Sequence, residues 1–169
     1  MASLKRTLTL FCFLALTGGS LAGRPPGNDA AGGGTYLLGG IRTEFQFDQA
    51  HVQCKIGHAV MPDGTVIQMF MESKSINSVT IDSPANTVVI SGNMVSTTRL
   101  RFTNGTSATL AETVPFVAFA QDNATPGAGA DTFSMTVTYV STPGLDQFDL
   151  FGSPATFAGT LETGDVRVR

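Results

Sequence analysis

From Thr132 to Val140 the chain reads Thr-Phe-Ser-Met-Thr-Val-Thr-Tyr-Val, an alternation that suits an extended strand with one face buried and no helix. Phe133, Met135, Val137 and Tyr139 fall on one side, Ser and Thr on the other. The same period predicts a strand over Ile41–Phe47, and a third from Met94 to Phe102 with Arg99 and Arg101 opposite Leu100 and Phe102. Val66–Met71 and Thr87–Ser91 are more continuously apolar, which predicts central strands covered on both faces.

Turn chemistry falls between these runs. Pro62-Asp63-Gly64 precedes Val66, Asp82-Ser83-Pro84-Ala85-Asn86 precedes Thr87, and Asn104-Gly105 follows Phe102. Sustained helical periodicity is absent after the leader, so the expectation is all-β: an antiparallel sandwich or barrel of roughly nine to eleven short strands. One short helix is compatible with that pattern.

Met1 to Ala22 has the three parts of an export signal: Lys5 and Arg6, an apolar run from Leu8 to Leu16, and small residues up to Ala22. The apolar run is about half of the roughly 20 residues that a spanning helix needs. Cleavage after Ala22 and a secreted or periplasmic location are therefore expected. Gly23 to Gly34 is rich in Gly and Pro and reads as a flexible linker, with one folded domain over 35–169.

Removal of Lys5 and Arg6 takes the formal net charge from −3 to −5. The remaining cations, Arg24, Arg42, Lys55, Lys74, Arg99, Arg101, Arg167 and Arg169, are scattered or paired, which argues against a nucleic-acid partner. Cys12 leaves with the leader, so Cys54 has no intramolecular disulfide partner. Between Val52 and Ile56 on the alternating face it reads as a small buried hydrophobe, with an intermolecular disulfide as the alternative.

The chain carries no serine-hydrolase Gly-x-Ser-x-Gly, no phosphate-cradling loop and no dinucleotide fingerprint. Glu44, Asp48, Glu72 and Glu112 are conceivable glycosidase acids, but their spacing selects no pair. His51 and His58 stand seven positions apart, on opposite faces of an unbroken strand, unless Gly57 marks a bulge. A metal shared between them is not expected. Asn104 and Asn123 lie in glycosylation sequons. The strongest ligand candidates are Asp122, Asn123 and Asp131, whose oxygens bracket Pro126-Gly127-Ala128-Gly129 and could face Ca²⁺; an ordinary turn that bonds its own backbone is the simpler reading.

Three segments carry a family likeness: Ile76–Ile81 with Asn86–Gly92, Gln121–Phe133, and Phe157–Val168. Together they resemble the post-COAP-type (post choice-of-anchor) domains of exported bacterial proteins. That resemblance implies an antiparallel extracytoplasmic β module with no assigned reaction, and it transfers no catalytic residue. The leading expectation is a non-enzymatic structural or adhesion-type module with an unknown protein or surface partner. The alternative is a small barrel that binds an apolar ligand, or acts on one without a cofactor. Under that alternative some of Phe102, Phe116, Phe119, Phe133, Phe148, Phe151 and Phe157 line a cavity instead of filling a core.

Overall fold

A computed structural model describes residues 29–124 and 127–169. Nine strands form one antiparallel sheet: β1 (Ala30–Leu38), β2 (Ile41–Phe47), β3 (Val52–Val60), β4 (Val66–Asp82), β5 (Thr87–Arg101), β6 (Ser107–Gln121), β7 (Thr132–Val137), β8 (Ala155–Thr160) and β9 (Thr163–Val168). A single short helix, α1 (Gln147–Phe151), lies between β7 and β8. The order β8-β7-β6-β5-β4-β3-β2-β1-β9 is a meander in which each hairpin pairs neighbours in sequence, and the sheet curls into a half-barrel. The barrel expectation holds and the two-sheet sandwich gives way to one curled layer. No helix among the described residues is long and apolar enough to cross a membrane.

Alternation sets the interior. In β5, Val88, Ile90, Met94, Ser96, Thr98 and Leu100 are all buried at even positions while Arg99 and Arg101 point outward. β4 behaves the same way over Val66–Met71: Ile67, Met69 and Met71 are buried, and Val66, Gln68 and Phe70 are only partly covered. The expectation that β4 and β5 are covered on both faces is corrected, because a single curled sheet has one dry side. The interior is filled by aromatic rings, with Phe45 of β2 stacked on Phe133 of β7 at 4.1 Å between centroids. Phe116 and Phe157 join this core, whereas Phe148 is exposed.

The expected linker is also corrected at its C-terminal end. β1 begins at Ala30 and Asp29 exchanges backbone hydrogen bonds with Arg169, so 29–34 belong to the folded domain, while the expected leader and residues 23–28 of the linker lie outside the described residues. Composition misleads here because tertiary contact selects the glycines. Gly34 pairs with Gly164 of β9, where a Cβ on Gly34 would stand 2.1 Å from the Thr163 carbonyl oxygen, and Gly164 holds φ at +104°.

The closure of the sheet involves β8 and β9, which follow one another almost without a break and face opposite edges. β8 pairs with β7 and β9 pairs with β1, so the chain crosses the seam at Leu161-Glu162. At the crossing the Leu161 N–H donates to the Asp131 carbonyl at 2.9 Å and the Glu162 N–H donates to the Thr35 carbonyl at 2.7 Å. The outer edge of β9 has no neighbouring strand. Its N–H groups meet carboxylates instead: Val166 donates to Asp131 Oδ2 at 2.8 Å and Val168 to Asp122 Oδ2 at 3.3 Å. Asp131 Oδ1 also accepts from the N–H groups of Asn123 and Ala124. Gly127 leaves space for this clasp, since a Cβ there would fall 1.8 Å from Asp131 Oδ2.

Asp131→Ala removes the acceptor for three backbone donors at a dry seam and is expected to cost about 3–5 kcal/mol. Urea titration of the two proteins measures the difference. A loss under 1 kcal/mol would show that the seam closes without the carboxylate.

Candidate functional site

At the end of the barrel where β1 meets β2 and β3 meets β4, a recess of about 240 Å³ opens between the sheet and α1. Leu38 and Ile41 flank the first hairpin, and Met61 follows β3. Ile67 and Met69 form the β4 wall, while Phe151 and Leu150 of α1 cover it from outside. A β-bulge shapes the rim: the β3–β4 register shifts by one between Ile56 and Ala59, which carries Ala59 to the inner side. Every lining residue is apolar or glycine.

α1 is short, so its position depends on its anchors. Asp146 caps it, one carboxylate oxygen accepting from the Asp149 N–H at 2.9 Å and the other from the backbone and hydroxyl of Thr142. These donors, Thr142 first, hold the Asp146 carboxyl below its ordinary range. Gly152 ends the helix at φ +72°, its N–H donating to the Phe148 carbonyl. The main anchor is Gln147, only 1% exposed. Its Oε1 accepts from Ser96 Oγ at 2.6 Å and Thr98 Oγ1 at 2.8 Å, and its Nε2 donates to the Ser96 carbonyl at 3.0 Å.

This polar row continues behind the recess. The Tyr139 hydroxyl lies 3.0 Å from Ser96 Oγ and 3.8 Å from Met69 Sδ, so Met69 separates the apolar recess from the row. Burial pushes the Tyr139 phenol up to about 12, the Ser96 hydrogen bond opposing and Glu112 adding to the shift. Glu112 points inward from β6 with one buried oxygen that has no hydrogen-bond partner. Desolvation, then the charge of Asp146, raises its carboxyl above the ordinary value. Tyr139 packs against Phe151 at 6.0 Å, which ties the row to the cover of the recess.

The other expected candidates disperse. Asp122, Asn123 and Asp131 do come together, but at the seam, where Asp131 receives three backbone N–H groups and Asn123 Nδ2 donates to the Ala130 carbonyl. Among the described residues no group of three or more His, Cys, Asp or Glu is arranged to hold a metal ion. His51 meets Glu72 Oε1 at 3.2 Å on the outside, and the bulge turns His58 outward as well, to a separate groove, which corrects the opposite-face reading of an unbroken strand. Glu44 meets Arg42 and Lys55 on the outer wall, and Asp48 accepts from the N–H groups of Ala50 and His51 in a turn.

Cys54 is buried and free, as its alternation with Val52 and Ile56 implies. Burial lifts its thiol from 9.0 to about 12, offset in part by the neighbouring Tyr36 hydroxyl. The same burial, then the charge of the sulfur, raises Tyr36, although its hydroxyl makes no hydrogen bond of sound geometry. A thiol so placed stays protonated and is a packing group.

The fold and its recess define an antiparallel, barrel-like curled sheet with an apolar mouth. The sequence matches no family model, and neither curated proteins nor solved structures give a match. Of the rings offered from the sequence as cavity-lining, Phe151 and Phe157 do line the recess, while its aliphatic residues were not singled out; one further signal was legible, Asp146 and Gly152 bracketing Phe148 and Phe151 at helical spacing.

Gln147→Ala strands the Ser96 and Thr98 hydroxyls and is expected to lower stability by about 2–3 kcal/mol. Hydrogen exchange should rise selectively in residues 142–152 if Gln147 is the anchor. The Cys54 shift gives a second expectation. Its folded value lies above its unfolded one, so its stabilising contribution is complete below pH 9 and is lost as pH climbs toward 12. Unfolding free energy should fall by up to about 1.4 kcal/mol per pH unit from this group, and Cys54→Ala should make the fall shallower.

Proposed function

We propose that this protein is a non-enzymatic binding barrel that takes a small apolar ligand in the recess beneath α1. The observation that carries the reading is the lining, which offers a ligand aliphatic and aromatic carbon and no titratable group. General acid–base or nucleophilic work needs such a group within hydrogen-bond reach of the bound molecule. Tyr139 stands behind Met69 and belongs to the row that anchors α1, and Glu112 does not line the recess.

Size narrows the ligand class. A dry aliphatic cavity of about 150 Å³ holds benzene, so about 240 Å³ suits a substituted single ring or a short alkyl chain. Burial of such a molecule supports a dissociation constant of roughly 0.1–1 mM. The interior below is filled by Phe45, Phe133 and Tyr36, which favours a ligand held at the mouth over one deep in the barrel. An extracytoplasmic setting, expected from the leader and from the resemblance to post-COAP-type domains, suits capture of such compounds outside the cell.

Ala59 offers a way to fill the recess from its rim. Ala59→Phe should abolish the thermal shift given by p-cresol or 1-octanol while leaving the unliganded melting temperature within a few degrees. Equal binding of these compounds by the variant, or none by the unmodified protein, would remove the recess as the ligand site.

A further inference from the structure

The end of the barrel that holds the recess also differs from the rest of the surface in charge and polarity. Strand registers put the hairpins β1–β2, β3–β4 and β5–β6 there, together with the 138–154 segment that carries α1. Six of the eight exposed large hydrophobics of the described residues belong to this end: Leu37, Val60, Met61, Val140, Leu145 and Phe148. Val60 is 71% exposed and Val140 65%. Isolated apolar side chains are ordinary on a surface, but their collection on one rim calls for a physical account.

Cations stand beside them. On the outer wall Val60 lies opposite Val66, Val66 opposite Arg101, and Arg101 opposite Ser107, while Gln68 and Thr109 flank Arg99. His58, Arg99 and Arg101 line a groove of about 280 Å³. Neither arginine takes part in any of the ion pairs among the described residues. Charge at this end is mixed: Glu44 meets Arg42 and Lys55, whereas Asp63 beside Thr65, Asp146 at the α1 cap and Asp149 carry negative charge, so the positive charge free to meet an anion is that of Arg99 and Arg101 on the outer wall. At the other end the turns and the seam carry Asp48, Asp82, Asp122 and Asp165.

We infer that the mouth end docks on an anionic lipid surface, with Val60, Met61, Leu145 and Phe148 entering the interface and Arg99 and Arg101 meeting the headgroups. An anionic leaflet satisfies both observations at once, because it offers acyl carbon to the rim and negative charge to the unpaired guanidiniums. A free oxyanion would use the arginines and leave the apolar rim in water. The acidic far end then faces away from the leaflet, which orients the barrel on approach. The inference goes beyond ligand binding and does not depend on the recess being filled.

The test is cosedimentation of the processed protein with vesicles of phosphatidylcholine alone, or with roughly one-third phosphatidylglycerol. Pelleting is expected only with the anionic vesicles, and it should weaken with added salt. The double variant Arg99→Gln/Arg101→Gln should partition roughly thirtyfold more weakly, since each cation near such a leaflet contributes about a tenfold or smaller factor. Val60→Ser/Phe148→Ser should also lose binding. Lys74→Gln/Arg169→Gln, with the same change in charge away from the mouth, should bind as the parent does. All substituted side chains are solvent-facing, and a thermal melt of each variant reports its folding; if the serine pair misfolds, the glutamine pair carries the test. Equal pelleting with neutral vesicles, equal loss in the Lys74/Arg169 control, or full binding by the glutamine pair would overturn the inference. So would release by inorganic phosphate at matched ionic strength, which would mark a soluble-oxyanion site, or self-association without pelleting, which would mark a protein interface.

Discussion

The barrel depends on how the outward N–H groups of β9 are satisfied. A curled sheet of nine strands leaves two edges, and an unpaired edge is costly when buried and adhesive when exposed. Here the edges are joined by a strand pair that changes sides at Leu161-Glu162, and the half of β9 without a neighbour is completed by the side chains of Asp131 and Asp122. Asp131 is therefore a surrogate ladder partner: one oxygen takes a strand N–H and the other gathers the loop that follows β6. Asp165 reinforces the same junction by accepting from the Gly127 N–H, and Arg167, the first cause, holds its carboxyl below the ordinary range.

Closure of this kind explains what could be read from the sequence and what could not. Inward and outward positions are a local property of an extended chain, so Phe133, Met135, Val137 and Tyr139 were legible from their spacing alone, as were the turns at Asp63-Gly64 and Asn104-Gly105. The seam is not local. Gly32-Gly33-Gly34 looks like a tether until β9 comes against it from more than a hundred residues away, and then the missing Cβ atoms of Gly32 and Gly34 are what the contact requires. Asp122 and Asp131 were picked out as oxygen donors, and they are clustered acceptors, but the groups they face in the structure belong to β9, which their own sequence neighbourhood does not reveal.

The recess was hidden for a related reason. Its walls come from β1, β2, β3, β4, α1 and β8, each contributing residues that read individually as core. Two departures from regularity bring them around an opening: the bulge at Gly57, which inverts the facing of the end of β3, and the break between β7 and β8, which lets α1 fold over the mouth. The bulge was open to suspicion from its glycine. The role of Gln147 was not, because a glutamine between acidic and aromatic residues looks like a solvent-facing position until Ser96 and Thr98 are found beneath it.

The two ends of the barrel are thus built on different physics. At the seam end, carboxylates accept from backbone N–H groups that would otherwise face a dry junction, so polar satisfaction there is internal and leaves the loops compact. At the mouth end, the hairpins stop short of closing the interior, and one helix of five residues has to cover what remains. Such a cover half-buries Phe151 and Leu150 on its inner side but has too few residues to hide Phe148 and Leu145 as well. The exposed apolar rim and the recess are therefore two consequences of one shortage of covering chain. A molecule or surface that supplies apolar contact at this end completes a burial that the chain leaves unfinished.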